Sequence, residues 1–460
     1  MRPVRPILSP HFRENCSPGL PSEQQPGATD DMSLIEDDYV LVSPEDAHLG
    51  DDAAGRGLIG DVSRFIDGIT DELWPINKQI HDTPETGYRE FVAHKALTKF
   101  MASRPGWKVT PSAYGMATAW VAVFDSGKKG PVVSFNAEMD ALKDIGHACG
   151  HNLIASASVA GALATAEMIT RRDLGGKVVI FGTPAEEGGG GKIRLLEAGA
   201  YKDHRVDVSL IAHPGKTFDS ALVHTSALTF YKVEYFGREA HAAANPWLGI
   251  NALDAMVTAY NAVSVLRQQI MPGDVIQTCI TSGGLRPNII HAYTSAEWVV
   301  RASTQARLGV LKKKAEACFK AGATATGATV KITERRSYKD HIPNHVLGAS
   351  YTKHFNALSP PHPIPTDPDV DEAAGRTMAS TDQGDVSHAL PSLHPGFSIH
   401  APGEANGPHN PQFAESAGTR DAFERCLRSG KALAGTALDI LTVEGILDRV
   451  KEDWKRRVSG

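Results

Sequence analysis

The 460-residue sequence predicts an α/β fold: a mostly parallel sheet flanked by helices, carrying an inserted α+β domain. Three observations predict it. Between residues 58 and 227, short uninterrupted apolar runs alternate with stretches of helical periodicity, the pattern of parallel strands covered on both faces. From about 228 to 336 the strands alternate between apolar and polar residues, as half-buried strands do. After 337 the chain returns to helices around a Pro-rich loop, so the middle segment reads as a lid inserted into a discontinuous domain, 58–227 plus 337–460. A chain of this length exceeds what one growing core serves, so two domains, or one large domain with an insertion, are the default.

The elements follow in order. Residues 1–57 are rich in Pro, Ser, Gly and Asp, with nine acidic residues and no Lys or Arg between Asp30 and Asp52. They predict a disordered acidic leader in which Met32 is an alternative start. Helical spacing begins near Leu58 in "DVSRFIDGITDELWPINKQIHD". Strands are predicted at "WVAVFD", "PVVSFNAE", "KVVIFGTPA" and "VDVSLIAHPG". The most apolar stretch, 153–169, is rich in Ala and Ser and carries Glu167. It falls short of the roughly 20 apolar residues of a membrane span and reads as a buried, tightly packed helix. The inserted segment is expected to run β-α-β-α-β through "TFYKVEYFG", "INALDAMVTAYNAVSVLRQQI", "AEWVVRAS", "RLGVLKKKAEACFKAGATA" and "TVKITERRS".

Composition narrows the function classes. Hydrophobic residues make up 42% and charged residues 22%, as in ordinary globular chains. A net charge of −6 lacks the concentrated basic face that nucleic acid or an anionic membrane requires. Five scattered cysteines, an odd number, do not form a secreted disulfide framework, so a cytoplasmic setting is expected. The N-terminus carries no apolar core of the length a secretory signal needs.

Chemistry concentrates where apolar strands end. Cys149 and His151, in "GHACGHN", are separated by Gly150, which permits the turn that lets a thiolate and an imidazole reach one divalent ion. A buried thiol beside a hydrogen-bonded histidine is the bland alternative. Adjacent Glu186 and Glu187, in "GTPAEEGGGGK", repel one another unless a cation or a shared proton compensates; the alternative is a solvated acidic turn at a helix start. Four glycines after them let the backbone approach a ligand. His213 closes the apolar strand of "LIAHPG". Three strand ends delivering such groups together point to a site, because open α/β sheets form sites at the carboxyl ends of their strands.

The motifs "MDALKDIGHACGHNLIA", "GTPAEEGGGGK", "AHPG", "GREAHAAANPWLGINALDA", "RPNIIHAYTSAEWVVRA", "STDQGDVSHALPSLHP" and "PHNPQFAESAG" together resemble the aminoacylase/carboxypeptidase metallohydrolase superfamily. Within it the chain is most similar to the branch of the plant auxin-conjugate amidohydrolases, bacterial aminobenzoyl-glutamate hydrolase and the animal β-alanyl-lysine dipeptidase. The resemblance spans about residues 58–440 and implies a metallo-exopeptidase fold. It implies that Cys149, His151, Glu187, His213 and His409 hold one or two divalent ions, zinc or manganese first among them, with Glu186 as general base. His409 is chosen by its "H-x-P-x-F" context over His388, His394 and His400. Asp140, two residues beyond Glu138 at the strand end, is a candidate carboxylate for orienting a ligand imidazole, with a loop-capping aspartate as the equal alternative. The lid would supply His241, reaching the partner subunit's site to steady the oxyanion, Asn288 as a second donor to that oxygen, and Arg301 to grip the substrate carboxylate. A homodimer through the lid is implied as well. Lys143 and Asp144 stand where the family usually has Pro-Gly, and Asn152 where many relatives have Asp.

The expected activity is therefore metal-dependent hydrolysis of an amide in an N-acyl amino acid or dipeptide bearing a free carboxylate. Two rivals are an amide-forming or amide-trimming enzyme of small-metabolite biosynthesis using the same site, and a non-catalytic ligand-binding member. Retention of Glu186 beside a full ligand set argues against the second.

Overall fold

In a computed structural model of the chain, residues 53–402 and 407–459 are described; residues 1–52 of the acidic leader, Met32 among them, lie outside these, whereas residues 53–57, expected as its disordered end, already belong to the helix Ala53–Asp82. The described strands, in chain order, are β1 (Trp107–Pro111), β2 (Trp120–Asp125), β3 (Val132–Glu138), β4 (Lys177–Thr183), β5 (Val208–Leu210) and β6 (His213–Gly215). They continue as β7 (Ala227–Phe236), β8 (Val275–Ser282), β9 (Tyr293–Ala302), β10 (Thr329–Tyr338), β11 (Ser392–Leu393) and β12 (Gly396–Ser398).

The main sheet has the order β1-β2-β4-β3-β5-β11. Its β4-β3-β5-β11 part is parallel, and β2 and β1 add an antiparallel edge. The period of two along a strand explains the uninterrupted apolar runs. Val178 and Ile180 of β4 join the large core with Trp120 and Ala122 of β2, whereas Val179 and Phe181 face a second cluster with Val121, Leu195 and Tyr201. Both faces are thus covered.

The helix His151–Arg171 lies in the large core, as its composition predicts. Its most apolar window would suit a membrane by length and hydropathy alone, yet 89% of that window is buried inside the protein. Small residues allow a close approach to the helix Arg420–Thr442. A Cβ on Gly161 would stand 3.0 Å from the carbonyl oxygen of Gly430, and one on Gly430 would stand 2.8 Å from that of Ala157.

The second sheet is antiparallel, in the order β10-β7-β9-β8. Helices Ala252–Leu266 and Gln305–Thr326 pack on it around Tyr231, Tyr235, Met256, Trp298 and Phe319, a core separate from that of the main sheet. The order is β-α-β-β-α-β, one strand more than the sequence expectation. The additional strand is β8, an edge strand in which Ile276 alone is fully buried, so its sequence carries little of the apolar signal that marks a strand.

The two connections between the sheets lie side by side. Thr225 Oγ1 accepts from the backbone N–H of His341 at 3.0 Å, and Asp371 accepts from the N–H groups of Ala221 and Leu222, each at 3.0 Å. Glu372 lies 3.0 Å from His224 Nε2 and 2.8 Å from His345 Nε2, one histidine from each connection.

Candidate metal centre

Parallel strands β3 and β4 pair Glu138 with Thr183, so their carboxyl ends open on the same side. The loop after β3 carries Asp140 and leads into Cys149; Gly150, at φ +75°, caps the helix that begins with His151. A Cβ at position 150 would lie 2.5 Å from Pro214 Cγ, so glycine is required both by the turn and by the approach of the segment bearing His213.

Four of the five expected ligands converge through their side chains on that end, and the fifth reaches it from a late turn. Cys149 Sγ lies 3.3 Å from His213 Nε2. Ligand-type atoms of Cys149, His151 and His213 all fall within 4.8 Å of one another; so do those of Cys149, Glu187 and His409, and those of His151, Glu186 and Glu187. His409 Nε2 is 3.2 Å from Glu187 Oε1. His409 sits at φ +71°, and its N–H donates to the carbonyl of Ala148 at 2.8 Å, which ties the late turn to the cysteine loop.

Two of the three imidazoles are oriented from behind. His151 Nδ1 faces Asp140 Oδ1 at 3.2 Å, and His213 Nδ1 faces the carbonyl of Pro214 at 2.7 Å, so both Nε2 atoms point into the cluster. Asp140 also accepts from the backbone N–H groups of Glu186 at 3.0 Å and Glu187 at 2.9 Å. One carboxylate therefore orients the His151 imidazole and also caps the loop carrying both glutamates, so each of the two sequence readings of Asp140 describes part of what it does.

The glycines of "EEGGGG" serve the loop's own tightness. A Cβ on Gly191 would stand 1.8 Å from the Pro184 carbonyl oxygen, and Gly188 has φ +94°. The run thus forms a turn packed on itself. Tyr338, at the end of β10, clamps it by donating to the Glu186 carbonyl at 2.9 Å and accepting from Gly190 N–H at 3.0 Å.

The electrostatics suit a cation. Burial pushes the Cys149 thiol up, a penalty that a divalent ion reverses by favouring the thiolate. Burial opposes charge on His151, but Glu138 and Asp140 outweigh it and hold the imidazole well above its ordinary value. Burial together with Glu138 and Glu187 pushes the Glu186 carboxyl well up. Glu187 has burial raising it, but His409 and His151 hold it low. His151 Nε2, an atom of the expected ligand set, is buried and lacks a hydrogen-bond partner, as a metal-binding nitrogen would. By donor type and by this unpartnered atom, the residues present fit a divalent metal.

The lid residues are placed differently. His241 is exposed and its Nδ1 accepts from the N–H groups of Ala243 and Ala244. Asn288 is exposed, and its carbonyl accepts from Ala242 N–H at 3.1 Å, which puts the two predicted residues on neighbouring segments. Arg301 donates to Ser380 Oγ at 2.7 Å and to the Met378 carbonyl, and burial lowers its pKa. Among the described residues no contact joins these three side chains to the metal cluster. Two charged residues that sequence reasoning passed over stand beside it instead: Lys192 and Asp382, both 0% exposed, with Glu138 between them and the cluster. Lys192 closes the glycine run and Asp382 stands in the loop before the helix Gln383–Ala389, and neither position signals the other in the sequence.

Comparison with known proteins agrees with this geometry. Residues 132–422 match Peptidase family M20/M25/M40. The chain is 41% identical over 402 residues to a Xaa-Arg dipeptidase from Mus musculus, covering 85% of this chain and 90% of that one. It is 29% identical over 309 residues to one chain of the p-aminobenzoyl-glutamate hydrolase from Escherichia coli strain K12, covering 62% of this chain and 63% of that one. In fold it resembles a dinuclear metal-binding peptidase from Bacillus subtilis, with a TM-score of 0.60 at 16% identity over 82% of this chain and 99% of that one. A strand-end cluster of this composition, set in a chain with these relatives, makes the protein a member of peptidase family M20/M25/M40.

Proposed function

We propose that the protein is a metal-dependent amidohydrolase that cleaves a dipeptide or N-acyl amino acid bearing a free carboxylate, with Glu186 as general base. The centre would be held by Cys149, His151, Glu187, His213 and His409. When bound, a divalent ion supplies Lewis-acid polarisation of the amide carbonyl and acidifies water at the site. Zinc suits the thiolate and imidazoles, and manganese the carboxylates; the Bacillus subtilis relative is a dinuclear peptidase, and one or two ions are proposed here.

The observation that carries the reading is the placement of Glu186. Its Oε2 lies 3.9 Å from His151 Nε2, while its neighbour Glu187 turns to His409. A buried carboxyl with a raised proton affinity takes a proton from attacking water and returns it to the leaving amine. Asp140 keeps the loop in register during both transfers. The 41% identity to a Xaa-Arg dipeptidase favours a dipeptide with a basic C-terminal residue as substrate. His241 and Asn288 would act at the oxyanion and Arg301 on the carboxylate, His241 from the partner of a homodimer. A cytoplasmic setting fits the four described cysteines, all of them unpaired.

The test is hydrolysis of a dipeptide panel with C-terminal Arg, Lys, Glu and Leu, with added Zn or Mn, by wild type and Glu186→Ala. Wild type is expected to hydrolyse at least one member, and the variant to be slower by about 10²–10⁴-fold. Equal rates in the two proteins would remove Glu186 from the reaction.

A further inference from the structure

Three buried charged residues carry no role in the proposed reaction: Glu138, Lys192 and Asp382. All are 0% exposed. Lys192 Nζ lies 2.5 Å from Glu138 Oε1 and also contacts Asp382 Oδ1, while Asp382 Oδ2 accepts the Lys192 backbone N–H at 2.9 Å. The ammonium thus joins the end of β3, the helix that follows the glycine run, and the turn before the helix Gln383–Ala389.

A buried ion network is a weak device for stability, because desolvation offsets most of the attraction. Stability also leaves half of Glu138 unexplained. Its second oxygen, Oε2, is buried, has no hydrogen-bond partner, and lies 3.4 Å from His151 Nε2, which is itself buried and unpartnered. Oxygens of Glu138, Glu186 and Asp382 fall within 4.8 Å of one another, with a single ammonium among three carboxyl groups. Two atoms bound to one ion at about 2.1 Å and at a tetrahedral angle stand roughly 3.4 Å apart. The Glu138–His151 separation has that value.

We propose that Glu138 is a further ligand of the metal centre, and that Lys192 is a positioning residue which holds one Glu138 oxygen so that the other faces the ion. The proposal rests on the metal-centre reading above and extends its ligand set. Glu138 Oε1 is occupied by Lys192, so the carboxylate binds through one oxygen. Asp382 holds the ammonium from the far side and keeps it from entering the cluster.

The experiment uses the full chain, stripped of metal with a chelator and titrated with Zn²⁺ or Mn²⁺ against a chromophoric competitor. Wild type, Glu138→Gln and Lys192→Met are compared, with thermal unfolding recorded for each stripped and loaded protein. Glu138→Gln is expected to bind the ion about tenfold to a hundredfold more weakly. Its stripped form should melt no lower than wild type, since one of several crowded negative charges is gone, and metal should raise its Tm less. Lys192→Met should weaken metal binding and lower the Tm of both forms. An ion affinity in Glu138→Gln within twofold of wild type overturns the proposal, and this variant decides the matter if Lys192→Met does not fold. Wild type that binds no divalent ion overturns instead the metal-centre reading on which the proposal rests.

Discussion

Asp140 shows how much of the site depends on one side chain. It faces His151 Nδ1 and receives the backbone N–H groups of both Glu186 and Glu187. Burial would raise its pKa, but His151 and these N–H groups hold it low, so it acts as a fixed anion. Asp140→Asn keeps the volume and replaces an acceptor by an amide donor facing donors. We expect metal affinity to fall about tenfold to a hundredfold, read by chelator competition; unchanged affinity would mean that the loop is held by other contacts. The clustering of the candidate ligands was legible in the sequence, because Cys149, His151, Glu187 and His213 are costly residue types at or just beyond the ends of apolar strands. His409 was legible only through its motif, since it is half exposed and four histidines share that region. The Lys192 network was not legible: its members lie at 138, 192 and 382, and only the fold shows that they meet. His241, Asn288 and Arg301 rest on resemblance, because the roles assigned to them depend on a second protomer or on the lid's position.

At the scale of elements, the central helix and the C-terminal helix meet through glycine, and the approach is testable. Gly161→Val would drive a side chain into the Gly430 carbonyl and the Phe135 ring, whose Cε1 is 3.0 Å from the position of a Cβ. Overpacking of this kind costs about 1–3 kcal/mol, measurable by denaturant unfolding; an unchanged midpoint would show that the helices can part at no cost. The clamp between the two connections is tested by pH. The histidines His224 and His345 hold the Glu372 carboxyl well below the usual carboxylate range. A carboxyl that titrates lower when folded stabilises above the unfolded pKa of about 4.3 and loses that contribution as pH falls through the depressed value. Glu372→Gln should therefore melt below wild type at pH 6, with a difference that shrinks as the pH falls below 4. A gap that widens on acidification contradicts the assignment. Strands with both faces covered, such as β3 and β4, were legible as apolar runs. The edge strand β8 was not, because a strand paired on one side and mostly solvated needs no apolar period.

Over the whole molecule, the second sheet offers an exposed apolar side. Val257, Tyr260 and Val265 of one helix are 46%, 44% and 74% exposed, and Ile280 of the edge strand β8 is 43% exposed. Isolated exposed apolar residues are ordinary, but here they accompany an edge strand with unpaired backbone groups. If the chain works as a homodimer through this domain, the double variant Val257→Asp/Val265→Asp should run as a monomer by light scattering and lose hydrolysis while keeping its metal. A wild-type monomer with full activity would remove the partner's His241 from the mechanism. Five side chains from distant parts of the chain must gather on one metal centre for the proposed reaction to run. The most direct measurement is metal content after exhaustive dialysis, by mass spectrometry, for wild type and for the double variant Cys149→Ser/His213→Ala, both checked for folding. Wild type should retain one or two equivalents of a divalent ion and the variant close to none; equal stoichiometric retention by both proteins, or none by wild type, would contradict that gathering.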